Sequence, residues 1–221
     1  MIGIWAVIPV KELDGAKQRL AGFLTEAERH RLAVTMLEEV LAALASATRL
    51  AGVALVTLDP HATAIARHHN WRIITEGART SHTGAVDAGR TILAAEGIAG
   101  ILTLPGDIPA ATAAEIDAAL AAHTAFTIVP AHDEQGSNTV IVSPPLAVEL
   151  RFGDNSYFPH LDAARAAGIT PTIIQQPGIA MDIDHPADLA AFLRLPQSAG
   201  TRTRALLEAM NVPARLKDVL F

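Results

Sequence analysis

Ile4-Trp5-Ala6-Val7-Ile8-Pro9-Val10-Lys11-Glu12-Leu13-Asp14-Gly15-Ala16-Lys17-Gln18-Arg19-Leu20 passes from an unbroken apolar run into a loop carrying three cations. The run over 4–8 shows no polar alternation, which predicts a strand buried on both faces. Two of the chain's three lysines, Lys11 and Lys17, stand in the loop, and Arg19 completes a Lys-x5-Lys-x-Arg cluster. A cation cluster at the carboxyl end of a first buried strand is where an α/β protein holds phosphates. By spacing alone, a solvated charged loop is an equal reading.

The rest of the chain repeats the pattern of that first strand. Thr25-Glu26-Ala27-Glu28 has the form of a capping box, and Leu32, Met36, Leu37, Val40, Leu41 and Leu44 follow at helical spacing. Strands are expected over 53–57, 72–75, 101–104, 126–129, 139–142 and 172–175. Helices are expected over 61–69 and 84–96, from the Thr112 cap to about 122, from Ser156 to about 167, and from His185-Pro186. Short apolar strands alternating with helices predict an α/β fold, with a mostly parallel sheet flanked by helices. One domain is expected over 1–195. A C-terminal tail over 196–221 follows, with a short helix near 203–210.

Composition removes several function classes. The 221 residues are half apolar, which permits a sizeable core. No apolar run reaches about 18 residues, so no membrane span is expected, and no secretory leader is read at the N-terminus. The absence of cysteine excludes disulfides, thiolate metal sites and a cysteine nucleophile, and is compatible with a cytoplasmic location. The net charge of −6 argues against nucleic-acid binding but leaves room for a small anionic substrate, served by local cations and a divalent metal. No Gly-x-Gly-x-x-Gly, Walker A, Gly-x-Ser-x-Gly or His-Glu-x-x-His pattern occurs.

Acidic residues gather after predicted strands. Asp107, in Leu104-Pro105-Gly106-Asp107-Ile108-Pro109, follows a buried strand. A carboxylate there suits Mg²⁺ held jointly with substrate phosphates, or else stabilises a turn. In Met181-Asp182-Ile183-Asp184-His185-Pro186, an extended backbone puts both carboxylates on one side. Asp184 is read either as a ligand or as the cap of the next helix. Gln135-Gly136-Ser137-Asn138-Thr139 and Arg151-Phe152-Gly153-Asp154-Asn155-Ser156 are donor-rich loops, and Ser156 is expected to cap the following helix. His160 falls one turn later on the same face. A lone histidine there is more often structural than catalytic.

In this order, Ile8-Pro9-Val10-Lys11 with Ala16 to Leu20, Gly106-Asp107-Ile108-Pro109, Gly136-Ser137-Asn138, Phe152-Gly153 with Ser156 and His160, and Asp182-Ile183-Asp184 with Pro186 and Asp188-Leu189 resemble the guanylyltransferases of coenzyme F420 biosynthesis over about 1–192. The resemblance implies a single nucleotidyltransferase domain of the glycosyltransferase-A-like type. It implies transfer of GMP from GTP to 2-phospholactate, phosphoenolpyruvate or 3-phosphoglycerate, with release of pyrophosphate. Lys11, Lys17 and Arg19 would hold the GTP phosphates, with Lys17 and Asp107 catalytic. Asp107, Asp182 and Asp184 would hold Mg²⁺, and Ser137, Gly153 and Ser156 the acceptor. GTP and the acid are the expected partners, without membrane or nucleic acid; a homodimer is allowed. Two departures stand out: Gly136-Ser137-Asn138 replaces the family's usual Gly-Thr-Asn, and Ser81-His82-Thr83 replaces its Leu-Asn. The alternatives are a sugar-phosphate or molybdenum-cofactor nucleotidyltransferase, whose first loop is commonly glycine-rich, and a nucleotide-binding protein without turnover.

Overall fold

A computed structural model describes residues 2–220. In chain order the elements are β1 (Ile2–Val10), α1 (Glu26–Ser46), β2 (Gly52–Thr57), α2 (Pro60–His68), β3 (Arg72–Ile74), α3 (His82–Ala95), β4 (Ile98–Thr103) and α4 (Ala113–Ala121). There follow β5 (Phe126–Pro130), β6 (Ser137–Val142), α5 (Tyr157–Ala166), β7 (Thr172–Ile173), α6 (Pro177–Ala180), α7 (Pro186–Arg194), α8 (Arg202–Ala209) and α9 (Val212–Leu220). No helix among the described residues is long and apolar enough to cross a membrane.

The strands form one sheet in the order β3-β2-β1-β4-β6-β5-β7. β1 pairs in parallel with β2 on one side, Val7 opposite Ala54, and with β4 on the other, Ala6 opposite Leu102. Only β6 runs antiparallel, against both β4 and β5. The reason is local: the turn from β5 to β6 is too short for the crossover that a parallel pair requires. The chain winds outward through β1, β2 and β3, then restarts at β4 on the far side of β1. A crevice therefore opens at the carboxyl ends of β1 and β4, the switch point where open α/β sheets bind ligands.

Both sheet faces are covered, as apolar strands without alternation require. On one face Ala6, Ile8, Leu55 and Leu102 pack with Leu37, Val40, Leu41 and Leu44 of α1 and Ile116 of α4. On the other, Val7, Val56, Ile101 and Val140 pack with Val86 and Leu93 of α3 and Leu161 of α5. At Gly89, α3 lies so near the sheet that a Cβ would stand 2.6 Å from Val7 Cγ1. The expected Thr25–Glu28 capping box forms on α1, and the expected Thr112 cap of α4 closes as a second box with Glu115. α3 begins at His82, with Ser81 as its N-cap, two residues earlier than the spacing predicts.

A third cluster lies beyond the sheet. Leu20, Leu24, Leu32 and Met36 pack with Leu189 and Phe192 of α7, Leu207 of α8, and Val212 and Leu216 of α9. Residues beyond 196 thus form two helices against α1, where the sequence suggests one short helix. Glu39 of α1 receives the backbone N–H groups of Arg202 (2.6 Å) and Thr203 (3.1 Å), capping α8. Arg215 of α9 lies over the Phe23 ring and binds Glu28 at 2.7 Å.

Candidate active site

A cleft of about 800 Å³ opens at the switch point, within the range typical of small-ligand sites. Lys11, Lys17, Arg19, Asp107, Ser137, Gly153, Ser156, Asp182 and Asp184 all line it. Residues from five separate segments of the chain therefore meet in one place.

The loop after β1 turns sharply to deliver its cations. Gly15 has φ 72° and Lys17 φ 55°, a left-handed conformation that non-glycine residues adopt rarely. Lys17 then opens a short 3₁₀ turn over Gln18–Leu20. Behind the loop, buried Asp59 caps α2 by accepting from Ala62 N–H at 2.9 Å. Its other oxygen accepts from Leu13 N–H at 3.1 Å, which ties the loop to the end of β2.

Lys17 Nζ stands 2.5 Å from Asp107 Oδ2 and 2.8 Å from Asp184 Oδ1. Burial opposes its charge, but the two carboxylates outweigh that and hold the ammonium above its ordinary range. Arg19 reaches Asp184 Oδ2 at 3.0 Å and Asp154 Oδ1 at 3.4 Å, linking this rim to the loop that carries Gly153. Asp184 is partly buried, yet Lys17 and Arg19 bring its carboxyl below the usual range. Its carboxylate faces the cations and does not cap α7. Asp188 serves the α7 terminus instead, accepting from the N–H groups of Asp184 (2.9 Å) and His185 (2.6 Å).

Asp182 behaves differently. Burial pushes its carboxyl upward, an Asn138 amide 3.0 Å away offsets part of that, and the charges of Asp107 and Asp184 push it further up. Three carboxylates that crowd one another's charge suit a divalent cation in donor chemistry. Among the described residues no group of three histidine, aspartate or glutamate side chains closes to a metal-binding arrangement, and the Lys17 ammonium bridges Asp107 and Asp184.

The opposite wall is rich in hydrogen-bond donors. Ser137 begins β6, and its Oγ lies 2.9 Å from His160 Nδ1 and 3.3 Å from Ser156 Oγ. The expected Ser156 cap does not form. Its backbone is already helical (φ −75°, ψ −15°), and its hydroxyl turns to Ser137 rather than to a helix N–H. Gly153, with φ 139°, lies in the loop between them. His82 also lines the cleft, packed edge-on against Phe152 at 4.9 Å. Burial lowers its pKa to about 4, with smaller effects from Asp107 and Lys11.

Two side chains take roles here that the sequence reading did not assign them, although Asn138 stands in the Gly136-Ser137-Asn138 motif. Asn138 lies 3.0 Å from the Ile179 and Ala180 carbonyls as well as from Asp182, so it sets the path of the acidic segment. His132 stands 3.7 Å from both Asp182 and Asp188. Spacing reveals neither set of contacts; both depend on the β5–β6 hairpin and the acidic segment meeting in space.

Comparison with known proteins shows the family and the fold. The family described as guanylyl transferase CofC-like matches residues 4–218. The chain is 34% identical over 209 residues to the phosphoenolpyruvate guanylyltransferase of Rubrobacter xylanophilus, covering 92% of this chain and 98% of that one. It is 30% identical to the 2-phospho-L-lactate guanylyltransferase of Methanothermobacter thermautotrophicus, covering 97% and 96%. A solved structure from Desulfovibrio desulfuricans G20, described as a nucleotide-diphospho-sugar transferase, superposes with a TM-score of 0.76 at 17% identity. It covers 98% of this chain and 97% of its own, and shows the shared nucleotidyltransferase-like fold. The match over nearly the whole chain, on a cleft that gathers every segment of the resemblance, places this protein in the CofC-like guanylyl transferase family.

Proposed function

We propose that the chain transfers GMP from GTP to a small phosphorylated carboxylic acid in coenzyme F420 biosynthesis, as a cytoplasmic enzyme. The carrying observation is one cleft with cations and carboxylates on one rim and a donor-rich wall on the other. A phosphate oxygen of the acceptor attacks the α-phosphorus of GTP. The bond from that phosphorus to the β-phosphate's bridging oxygen breaks, and pyrophosphate leaves. The acceptor phosphate is ionised near neutral pH, so no strong general base is needed. The chemistry then depends on positioning and charge neutralisation.

Lys11, Lys17 and Arg19 would bind and orient the triphosphate. Ser137 and the backbone at Gly153 would hold the acceptor's carboxylate, with Ser156 bracing the Ser137 hydroxyl from behind. Asp107, Asp182 and Asp184 would hold Mg²⁺, which supplies charge stabilisation at the phosphates when bound. The 34% identical relative bears the name of a phosphoenolpyruvate enzyme, and phosphoenolpyruvate is the acceptor proposed here.

The test is pyrophosphate release with GTP or ATP and each of phosphoenolpyruvate, 2-phospholactate and 3-phosphoglycerate, with products identified by mass. GTP with phosphoenolpyruvate should turn over fastest. Asp107→Asn should lower that turnover by about a hundredfold or more while circular dichroism stays unchanged. Near-normal turnover in this variant removes Asp107 from the site.

A further inference from the structure

Arg151 backbone N–H donates to His160 Nε2 at 2.9 Å. An amide N–H has only a donor to offer, so Nε2 must be the unprotonated nitrogen of the ring. The proton of a neutral His160 therefore sits on Nδ1, which faces Ser137 Oγ at 2.9 Å and donates to it. Ser156 Oγ donates to the same oxygen from 3.3 Å. A serine hydroxyl has two lone pairs and one hydrogen. Both lone pairs of Ser137 are engaged from behind, and its hydrogen is the one part left for the cleft.

We infer that His160 is a positioning residue which, together with Ser156, locks the Ser137 hydroxyl as an obligate hydrogen-bond donor and so requires an oxygen with a free lone pair, such as a carboxylate's, on the bound acid. This rests on the acceptor reading above and extends it to a residue outside the cleft lining. A carboxylate satisfies such a hydroxyl. An amide N–H or an alcohol that must donate does not, because no lone pair remains to receive it.

The same imidazole holds the facing wall. Its Nε2 fixes the amide of Arg151, while Thr83 Oγ1 of α3 accepts from the next amide, Phe152 N–H, at 2.9 Å. Gly153 follows directly. The Phe152 ring packs between His82 and His160, 4.9 Å from each centroid. His160 is 1% exposed, and burial, with a smaller push from Arg90 of α3, lowers its pKa to about 4. The neutral form that the lock needs is thus the form present at physiological pH.

Two measurements on the full chain test this. With ¹⁵N-labelled histidine, long-range ¹H–¹⁵N spectra should show His160 neutral and protonated on Nδ1 from about pH 8 down to about pH 5. Its Nδ1 signal should move in Ser137→Ala. A proton on Nε2, or titration near the ordinary histidine value, overturns the inference. The second measurement is kinetic. In His160→Asn the amide nitrogen takes the place of Nδ1; in His160→Gln the side chain reaches the place of Nε2 and loses Ser137. His160→Gln should raise the acceptor KM about tenfold, with kcat and the GTP KM within about twofold of wild type. His160→Asn should recover most of that loss. In a Ser137→Ala background His160→Gln should add nothing, because its effect runs through that hydroxyl. Equal rises in both KM values, or losses that add in the double variant, show a merely structural histidine and overturn the inference. A wild-type chain with no turnover on any of the three acids overturns the proposed function instead, and the spectra still decide the lock.

Discussion

Lys17 shows how much one side chain depends on distant partners. Its ammonium is shared between Asp107 and Asp184, 90 and 167 residues away in the chain. A compact point charge fits between two carboxylates in a way that a planar guanidinium does not. Lys17→Ala should therefore weaken GTP binding, measured by calorimetry, at least about tenfold more than acceptor binding, and Lys17→Arg should not restore it. Equal losses for the two substrates point to a folding role. Ser156 makes a contrasting prediction. A capping serine costs about 1 kcal/mol when changed to alanine, but Ser156 makes no cap bond. Ser156→Ala should raise the acceptor KM several-fold and leave the melting temperature almost unmoved. A clear loss of stability with an unchanged KM overturns its place on the acceptor wall.

At the scale of elements, the signals that proved readable are those contained within a few residues. The Thr25–Glu28 and Thr112–Glu115 boxes close across three positions, so spacing alone announces them. The Ser156 cap was equally plausible by spacing, and failed because a stronger attraction came from β6. α8 and α9 carry no such local announcement of where they dock. Leu207 is fully buried against residues of the segment around α1, and Glu39 of α1 caps the α8 terminus. Leu207→Ala should thus cost about 2–5 kcal/mol in denaturant unfolding, as a core truncation does. A cost below about 0.5 kcal/mol would mean that these helices sit loosely on the domain.

For the whole molecule, the buried histidines shape the response to pH. His160 has a folded pKa of about 4 against an ordinary 6.5. Between those values the unfolded chain binds the extra proton, so stability rises with pH there. The stability is fully present above about pH 6.5 and is lost as pH falls toward about 4. By about pH 5 the loss from His160 is on the order of 2 kcal/mol. His82 shifts in the same direction, but its partly exposed ring contributes less. Melting followed from about pH 7 to about pH 5 should show a falling midpoint, and His160→Gln should flatten the slope. A midpoint unchanged in the wild type over this range contradicts the burial of a neutral imidazole.

The amino-acid sequence by itself determined the layering of the protein. Apolar strands with helices between them demand a sheet covered on both faces, because a run without alternation has no polar side to give to water. It also placed cations and carboxylates at strand ends, where the fold makes its crevice. What only the tertiary structure decided is how those groups pair. β6 inserts antiparallel beside β4 and brings Ser137 and Asn138 to the crevice. The α5 helix then sets His160 behind Ser137, and the segment before α7 brings Asp184 to Lys17 and Arg19. Hydrogen bonds and ion pairs act over a few ångströms, while these partners lie tens to more than a hundred residues apart. Sequence spacing carries no information at that separation, and the closing of the sheet supplies it.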